Sequence, residues 1–127
     1  MDAPEITIGK VTATLVRPRP SVALLTGWIG GPIISNPGLW YGNAGCLLRE
    51  CWPESVAWPV AARPVRWKAP AVPAVYGLEI IDGLASEIPY ETWARYLEIV
   101  YEWAQSTVLR AEDVKAAAPF SGDQRGT

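Results

Sequence analysis

The side chains able to do chemistry in this chain are sparse and poorly grouped. Histidine is absent, which removes Ser-His and Cys-His dyads, histidine metal sites and any imidazole acid or base. The two cysteines, Cys46 and Cys51, fall in a segment that reads as helical. Five residues of helix set their Cα atoms about 7.5 Å apart along the axis and about 140° around it, beyond the usual reach of a disulfide. C-x4-C is not a redox spacing, and two thiols without histidine do not complete a zinc site. Both are expected to be buried and structural. Carboxylates recur as Glu50 with Glu54, Glu79 with Asp82, and Glu112 with Asp113, and a hydrolase could use such pairs as acid and base. Glu50 and Glu54 straddle Pro53, however, and each pair is more simply a set of charges on a helix surface or helix start. No G-x-S-x-G or S-x-x-K pattern accompanies the serines. Gly27-Trp28-Ile29-Gly30-Gly31 lacks the lysine and the strand-to-helix setting of a phosphate loop. No catalytic residue, metal ligand or cofactor is assigned, and the chain is expected not to be an enzyme.

Arg17, Arg19, Arg63, Arg66 and Lys68 form two small basic patches near tryptophans, and rings plus cations are what single-stranded nucleic acid stacks on. Eleven basic against thirteen acidic residues give a net charge of −2. That balance argues against a nucleic-acid or anionic-membrane partner.

The elements that must position these groups follow from pattern. At 127 residues, 50% apolar and 19% charged, the chain has the size of one domain, 1–127, with a real core. Residues 5–16 read as a β-hairpin, with Ile6 and Ile8 alternating with Thr7, and Gly9-Lys10 as a two-residue turn. Residues 21–52 read as helices. Ser21 is placed as an N-cap for 22–28, and Asn36 with Pro37 starts a second helix along Leu39, Trp40, Ala44, Leu47, Leu48 and Cys51. Gly42 and Gly45 lie inside that helix, where each costs about 1 kcal/mol relative to alanine; close approach of another backbone and simple tolerance are both open. Residues 53–74 carry five prolines among Trp58, Val60, Val65, Trp67 and Val72, a spacing no helix survives. An extended, polyproline-like arm is expected, its aromatics packed on its own helices or on a neighbour. Residues 75–118 are helical again and 119–127 form a polar tail. The fold class is therefore mainly α with a short N-terminal β-hairpin (α+β): a small helical bundle with a Pro/Trp-rich extended arm.

The longest helix starts at Pro89. Trp93, Leu97, Val100, Ala104 and Val108 share one face, and Glu91 and Arg95 stand in the favourable i,i+4 order on another. Tyr96, Ile99 and Trp103 make a second apolar stripe, so the apolar arc is roughly 200° wide, about twice what a surface helix needs. Either the helix is central to the bundle, or the second stripe meets another chain. Seven tryptophans exceed what one modest core uses. The partner-contact candidates are Trp93, Tyr96, Ile99 and Trp103 on this helix, with Trp58 and Trp67 on the arm. Self-association is a further use for such a surface. No stretch reaches the roughly 18 apolar residues of a membrane span, and residues 1–5 lack signal-peptide regions, so a cytoplasmic protein without a membrane partner is expected.

A short hairpin, Ile6-Thr7-Ile8-Gly9-Lys10 through Leu15-Val16-Arg17-Pro18, leads into small helices. A C-terminal helical pair is expected to end in Val114-Lys115-Ala116-Ala117-Ala118-Pro119-Phe120-Ser121. The layout resembles the small proteins of tailed-bacteriophage morphogenesis modules, most nearly the tail assembly chaperones of long-tailed phages. The resemblance is one of arrangement and leaves out residues 52–73. It implies a non-enzymatic helical protein that binds the tape-measure protein and recruits tail-tube subunits in the host cytoplasm, with no catalytic residues. The alternative is a structural virion component, such as a head-tail connector or minor capsid or tail protein, laced to its neighbours through hairpin and arm.

Overall fold

The chain begins with a tight reversal that glycine makes possible. Gly9 adopts φ +63°, a value that favours a residue without Cβ, and returns β1 (Glu5–Ile8) onto β2 (Val11–Thr14) in antiparallel register, Ile6 opposite Ala13 and Ile8 opposite Val11. Alternation sends Ile6, Ile8, Ala13 and Leu15 inward and Thr7 and Thr12 outward, where their hydroxyls hydrogen-bond at 2.7 Å. The computed structural model describes residues 2–27, 37–60 and 65–107. Four helices follow the hairpin: α1 (Pro20–Gly27), α2 (Pro37–Cys51), α3 (Pro73–Ala85) and α4 (Tyr90–Thr107). The mainly helical α+β architecture expected from the sequence is the one observed.

A two-stranded sheet is marginal alone, and this one is stitched to the helices at its exit. Val16 N–H donates to the Cys51 carbonyl at the end of α2 (2.8 Å). The Val16 carbonyl accepts from Trp103 Nε1 on α4 (3.0 Å). Arg17 Nη2 donates to the Thr107 carbonyl (2.7 Å), placing a cation where the last turn of α4 leaves its acceptors free.

α2 is the centre of the molecule. Every residue from Gly42 to Cys51 is buried, so beyond its exposed first turn α2 has no solvent face, and its most extensive packing is against α3. The reason lies in its glycines. A Cβ at Gly42 would run into the Ala74 carbonyl, one at Gly77 into the Gly42 carbonyl, and one at Gly45 would lie 2.5 Å from the Gly77 carbonyl oxygen. The two helices touch backbone to backbone, which answers the open question over Gly42 and Gly45. Tyr76, Ile80, Ile81 and Leu84 of α3 then fill the space on either side.

Helix starts differ from expectation where proline does the capping. α1 begins at Pro20, not after Ser21, because Pro suits the first helical position and the Arg19 carbonyl accepts the first bond, from Ala23 N–H (3.0 Å). α3 begins at Pro73 for the same reason, two residues into what reads as arm. On α4, Arg95 pairs with Glu98 (3.1 Å) and not, as its spacing suggests, with Glu91. The expected helical piece at 112–117 and the tail 119–127 lie outside the described residues.

The described residues of the arm do not extend away from the bundle. Trp67 and Val60 are buried in the common core. Trp52 Nε1 donates to the Val56 carbonyl (2.9 Å), Trp67 Nε1 to the Ala71 carbonyl (2.8 Å) and Tyr76 hydroxyl to the Val65 carbonyl (2.6 Å). Each indole or phenol thus staples a stretch of proline-rich backbone that has few partners of its own.

The glycine crossing yields a paired test. Gly77→Ala must push α2 and α3 apart, with an expected loss of about 3 kcal/mol or more, read as a fall in thermal midpoint of roughly 10 °C. Gly38→Ala, which has nothing within 4 Å of its added Cβ, is expected to be neutral or to stabilise by up to about 1 kcal/mol.

Candidate functional site

Two groups of side chains concentrate what chemistry the fold offers: a charged cluster at the end of α2 and an aromatic array where α2 meets α4. The first begins with Glu50, which the sequence places on a helix surface. It is 2% exposed. Arg19 clamps it, donating from its backbone N–H (2.9 Å) and Nε (2.8 Å) to Oε2 and from Nη2 (2.8 Å) to Oε1. The same Nη2 reaches the Trp67 carbonyl (3.0 Å). One carboxylate therefore joins α2, the residue capping α1, and the arm. Burial alone would raise its pKa, but the Arg19 hydrogen bonds and charge outweigh that and hold it below the ordinary carboxylate value. Its three hydrogen bonds all come from Arg19, so Glu50 is a structural staple and does not form an acid/base pair with exposed Glu54.

Beside it, Arg49 lies with its Cζ 5.0 Å from the centre of the Trp58 ring, a cation–π arrangement. Trp58 in turn meets Trp52 edge-on at 5.2 Å. Arg66 approaches from the arm, with Nη2 donating to the Trp52 carbonyl (3.2 Å) and Nη1 3.7 Å from Glu54. Its Nε is buried without a hydrogen-bond partner, a condition that costs about 1–3 kcal/mol. Arg49, Arg66, Trp58 and Glu54 line an open cleft of about 480 Å³ walled by Pro53, Val56 and Val65.

The thiols take no part in this chemistry. Cys46 and Cys51 are free and buried. Burial, aided by the Glu50 charge, pushes the Cys46 thiol up to about 12 and Cys51 higher still. Both are protonated at neutral pH and poor nucleophiles. Among the described residues no three Cys, Asp or Glu side chains gather as a metal-holding group.

The aromatic array joins Trp40 and Tyr41 at the start of α2 to Tyr90, Trp93 and Tyr101 of α4. Ring centres lie 5.2 Å apart for Trp40–Tyr41, 5.6 Å for Trp40–Tyr101, 6.1 Å for Tyr41–Trp93 and 5.0 Å for Tyr90–Trp93. Most contacts are edge to face, the arrangement the ring quadrupoles favour. A hydrogen bond with Tyr90, then burial, raises the Tyr41 hydroxyl above its ordinary pKa. The rings brace each other, yet four are only half-buried and Tyr90 is 58% exposed.

The six contact candidates divide accordingly. Trp103 (6% exposed) and Trp67 (8%) are core side chains, so the second stripe of α4 is not one continuous outer surface. Trp93, Tyr96, Ile99 and Trp58 are half-buried and keep part of their surface. Only Trp93 joins the array. Sequence reading missed Trp40, Tyr41 and Arg49 as site residues. Helical spacing marks Trp40 as core-facing, but nothing in it announces that its ring meets α4, more than fifty residues on.

Two measurements test these assignments. Glu50 has a depressed folded-state pKa, so its contribution is present above its ordinary value of 4.5 and is lost as pH falls through the lower folded value. Glu50→Gln should cost about 2 kcal/mol at pH 7 and flatten the acid limb of stability against pH in urea denaturation. Trp103→Glu should fail to fold by circular dichroism, whereas Tyr90→Glu, at the exposed rim of the array, should keep the wild-type spectrum and thermal midpoint within about 1 kcal/mol.

Comparison of the chain with protein-family models, curated proteins and solved structures finds no match.

Proposed function

We propose that this chain is a non-enzymatic assembly protein that holds partner polypeptides against a preformed aromatic surface. The tail assembly chaperones of long-tailed phages, which its sequence layout resembles, are the nearest kind. The observation that carries the reading is the array of five mutually braced rings at the α2–α4 junction. Rigid, half-exposed Trp and Tyr side chains supply large contact area at little entropic cost, and such residues dominate the energetics of protein interfaces. No described helix is long and apolar enough to cross a membrane. The site of action on this reading is the host cytoplasm. The partners on this reading are tape-measure and tail-tube proteins.

The rival reading, a structural virion component such as a connector or minor capsid protein, needs the arm to reach a neighbouring subunit. The described arm residues instead spend their aromatic and carbonyl groups within the chain: Trp67 Nε1 donates to Ala71 of the arm itself, and the Val56 and Val65 carbonyls accept from Trp52 and from Tyr76 of α3. That favours the chaperone reading over the laced one.

Light scattering behind a sizing column should give a monomer mass across concentration. Co-expression with the tape-measure and tail-tube proteins of the same phage should give a stoichiometric complex. Trp93→Ala, which removes a ring shared by two of the aromatic contacts, should weaken that complex at least about tenfold while the monomer stays folded. A discrete ring-sized oligomer, or the protein at fixed copy number in purified particles, would instead support the virion component.

A further inference from the structure

We propose that the aromatic array where α2 meets α4 takes a cationic side chain, arginine or lysine, set between apolar residues of a partner polypeptide. The inference deepens the partner-binding reading and rests on it for the array as a docking surface. What it adds is the charge of the segment that docks.

Ring geometry is the first argument. Tyr90 meets Trp93 at 90° with centres 5.0 Å apart, and Trp93 meets Tyr41 at 76° with centres 6.1 Å apart. In an edge-to-face pair the edge-on ring spends neither of its faces on its partner. Three rings at near right angles therefore form a corner walled in part by π faces that the other rings do not cover. Tyr90 is 58% exposed, and Trp93 and Tyr41 are half-buried, so the corner reaches solvent. The negative potential over such faces attracts a cation, most strongly over tryptophan. Among the described residues no cation is found over Tyr41, Tyr90 or Trp93, whereas Trp58 already carries one in Arg49.

Charge beside the rings is the second. α4 exposes Glu91, Glu98 and Glu102 against Arg95 alone. At about 100° per residue, Tyr90, Trp93 and Tyr101 share one side of the helix, Glu98 and Glu91 follow within about 80° of Tyr101, and Arg95 lies farther round. The Glu98 charge is felt at the Tyr41 hydroxyl, where it adds to the rise in pKa that the Tyr90 hydrogen bond and burial produce. Arg95 pairs with Glu98 at 3.1 Å with both side chains 58% exposed, an arrangement that solvent largely screens. Among the described residues Glu91 and Glu102 have no ion pair. An acidic partner segment would be repelled by this flank, and a purely apolar one would leave it unanswered. A cation between apolar neighbours meets the rings and the carboxylates together.

The test uses the full chain labelled with nitrogen-15 and follows the Trp93 indole N–H, identified by its loss in Trp93→Phe. The probes are acetyl-Leu-Arg-Leu-amide and its Gln and Glu counterparts. The Arg peptide should shift the signal saturably, with the Gln peptide at least about fivefold weaker and the Glu peptide weaker still. Tyr90→Leu, which keeps an apolar side chain and removes the ring, should lower the preference for Arg over Gln at least about threefold. Tyr90→Phe, which keeps the ring, should hold that preference within about twofold of wild type. Glu91→Gln should lower it by about twofold. Equal binding of the Arg and Gln peptides, tighter binding of the Glu peptide, or no saturable shift overturns the proposal. So does a preference that neither Tyr90→Leu nor Glu91→Gln lowers, or one that Tyr90→Phe loses as fully as Tyr90→Leu, which would assign it to the hydroxyl. Should Tyr90→Leu unfold by circular dichroism, Glu91→Gln decides, and an unchanged preference there overturns it. Peptides bound without regard to charge while the Trp93-dependent complex persists remove this inference alone; a preference for Arg with no such complex removes the chaperone reading alone.

Discussion

Backbone contact between α2 and α3 sets the terms for everything else in this molecule. Gly42, Gly45 and Gly77 let two helices meet with no side chain between them, and a helix brought that close to one neighbour can be surrounded by others. α2 consequently becomes a central helix buried from Gly42 to Cys51. The glycines weaken α2 as an isolated helix, but dense packing returns more than propensity removes, since helices in proteins are stabilised chiefly by tertiary burial. The close approach also brings Tyr76 of α3 to where its hydroxyl holds the arm at Val65.

A helix buried on every side must account for its charged residues. α2 carries Arg49 and Glu50 into the interior, and each is provided for differently. Glu50 is enclosed by Arg19, whose backbone N–H and guanidinium donate three hydrogen bonds to it. Arg49 lies against an indole ring at the edge of a cleft. Lone buried charges would be prohibitive; here Arg19, from the linker before α1, neutralises Glu50, and Trp58 of the arm lies against the Arg49 guanidinium. The Pro/Trp-rich segment is therefore part of the bundle's electrostatics as well as its packing, which explains why so polar a helix end can sit inside.

The tryptophans, counted as a surplus, turn out to have several uses. Trp52, Trp67 and Trp103 are buried, and each indole N–H is satisfied by a backbone carbonyl. Trp58 faces a guanidinium. Trp40 and Trp93 belong to a half-exposed array braced by tyrosines. The same residue type closes the core, pins irregular backbone and furnishes a rigid surface.

Local signals determined a good deal of this. The hairpin and its turn at Gly9-Lys10, the helix starts near Pro37 and Pro89, the burial of both cysteines and the mainly helical class all follow from period, proline and glycine placement, because those features act within a few residues. What the sequence could not assign was every property that depends on which elements meet. The pairing of Gly42 with Ala74 and Gly45 with Gly77, the burial of Glu50 beneath Arg19, the return of the arm onto its own helices and the meeting of Trp40 with Tyr101 all join residues some thirty to sixty positions apart. A helix with apolar residues on two sides reads the same whether its second side meets its own chain or another. In α4 the core took Trp103 and left Trp93 half-buried, because packing geometry, and not hydrophobicity, decides which ring fits.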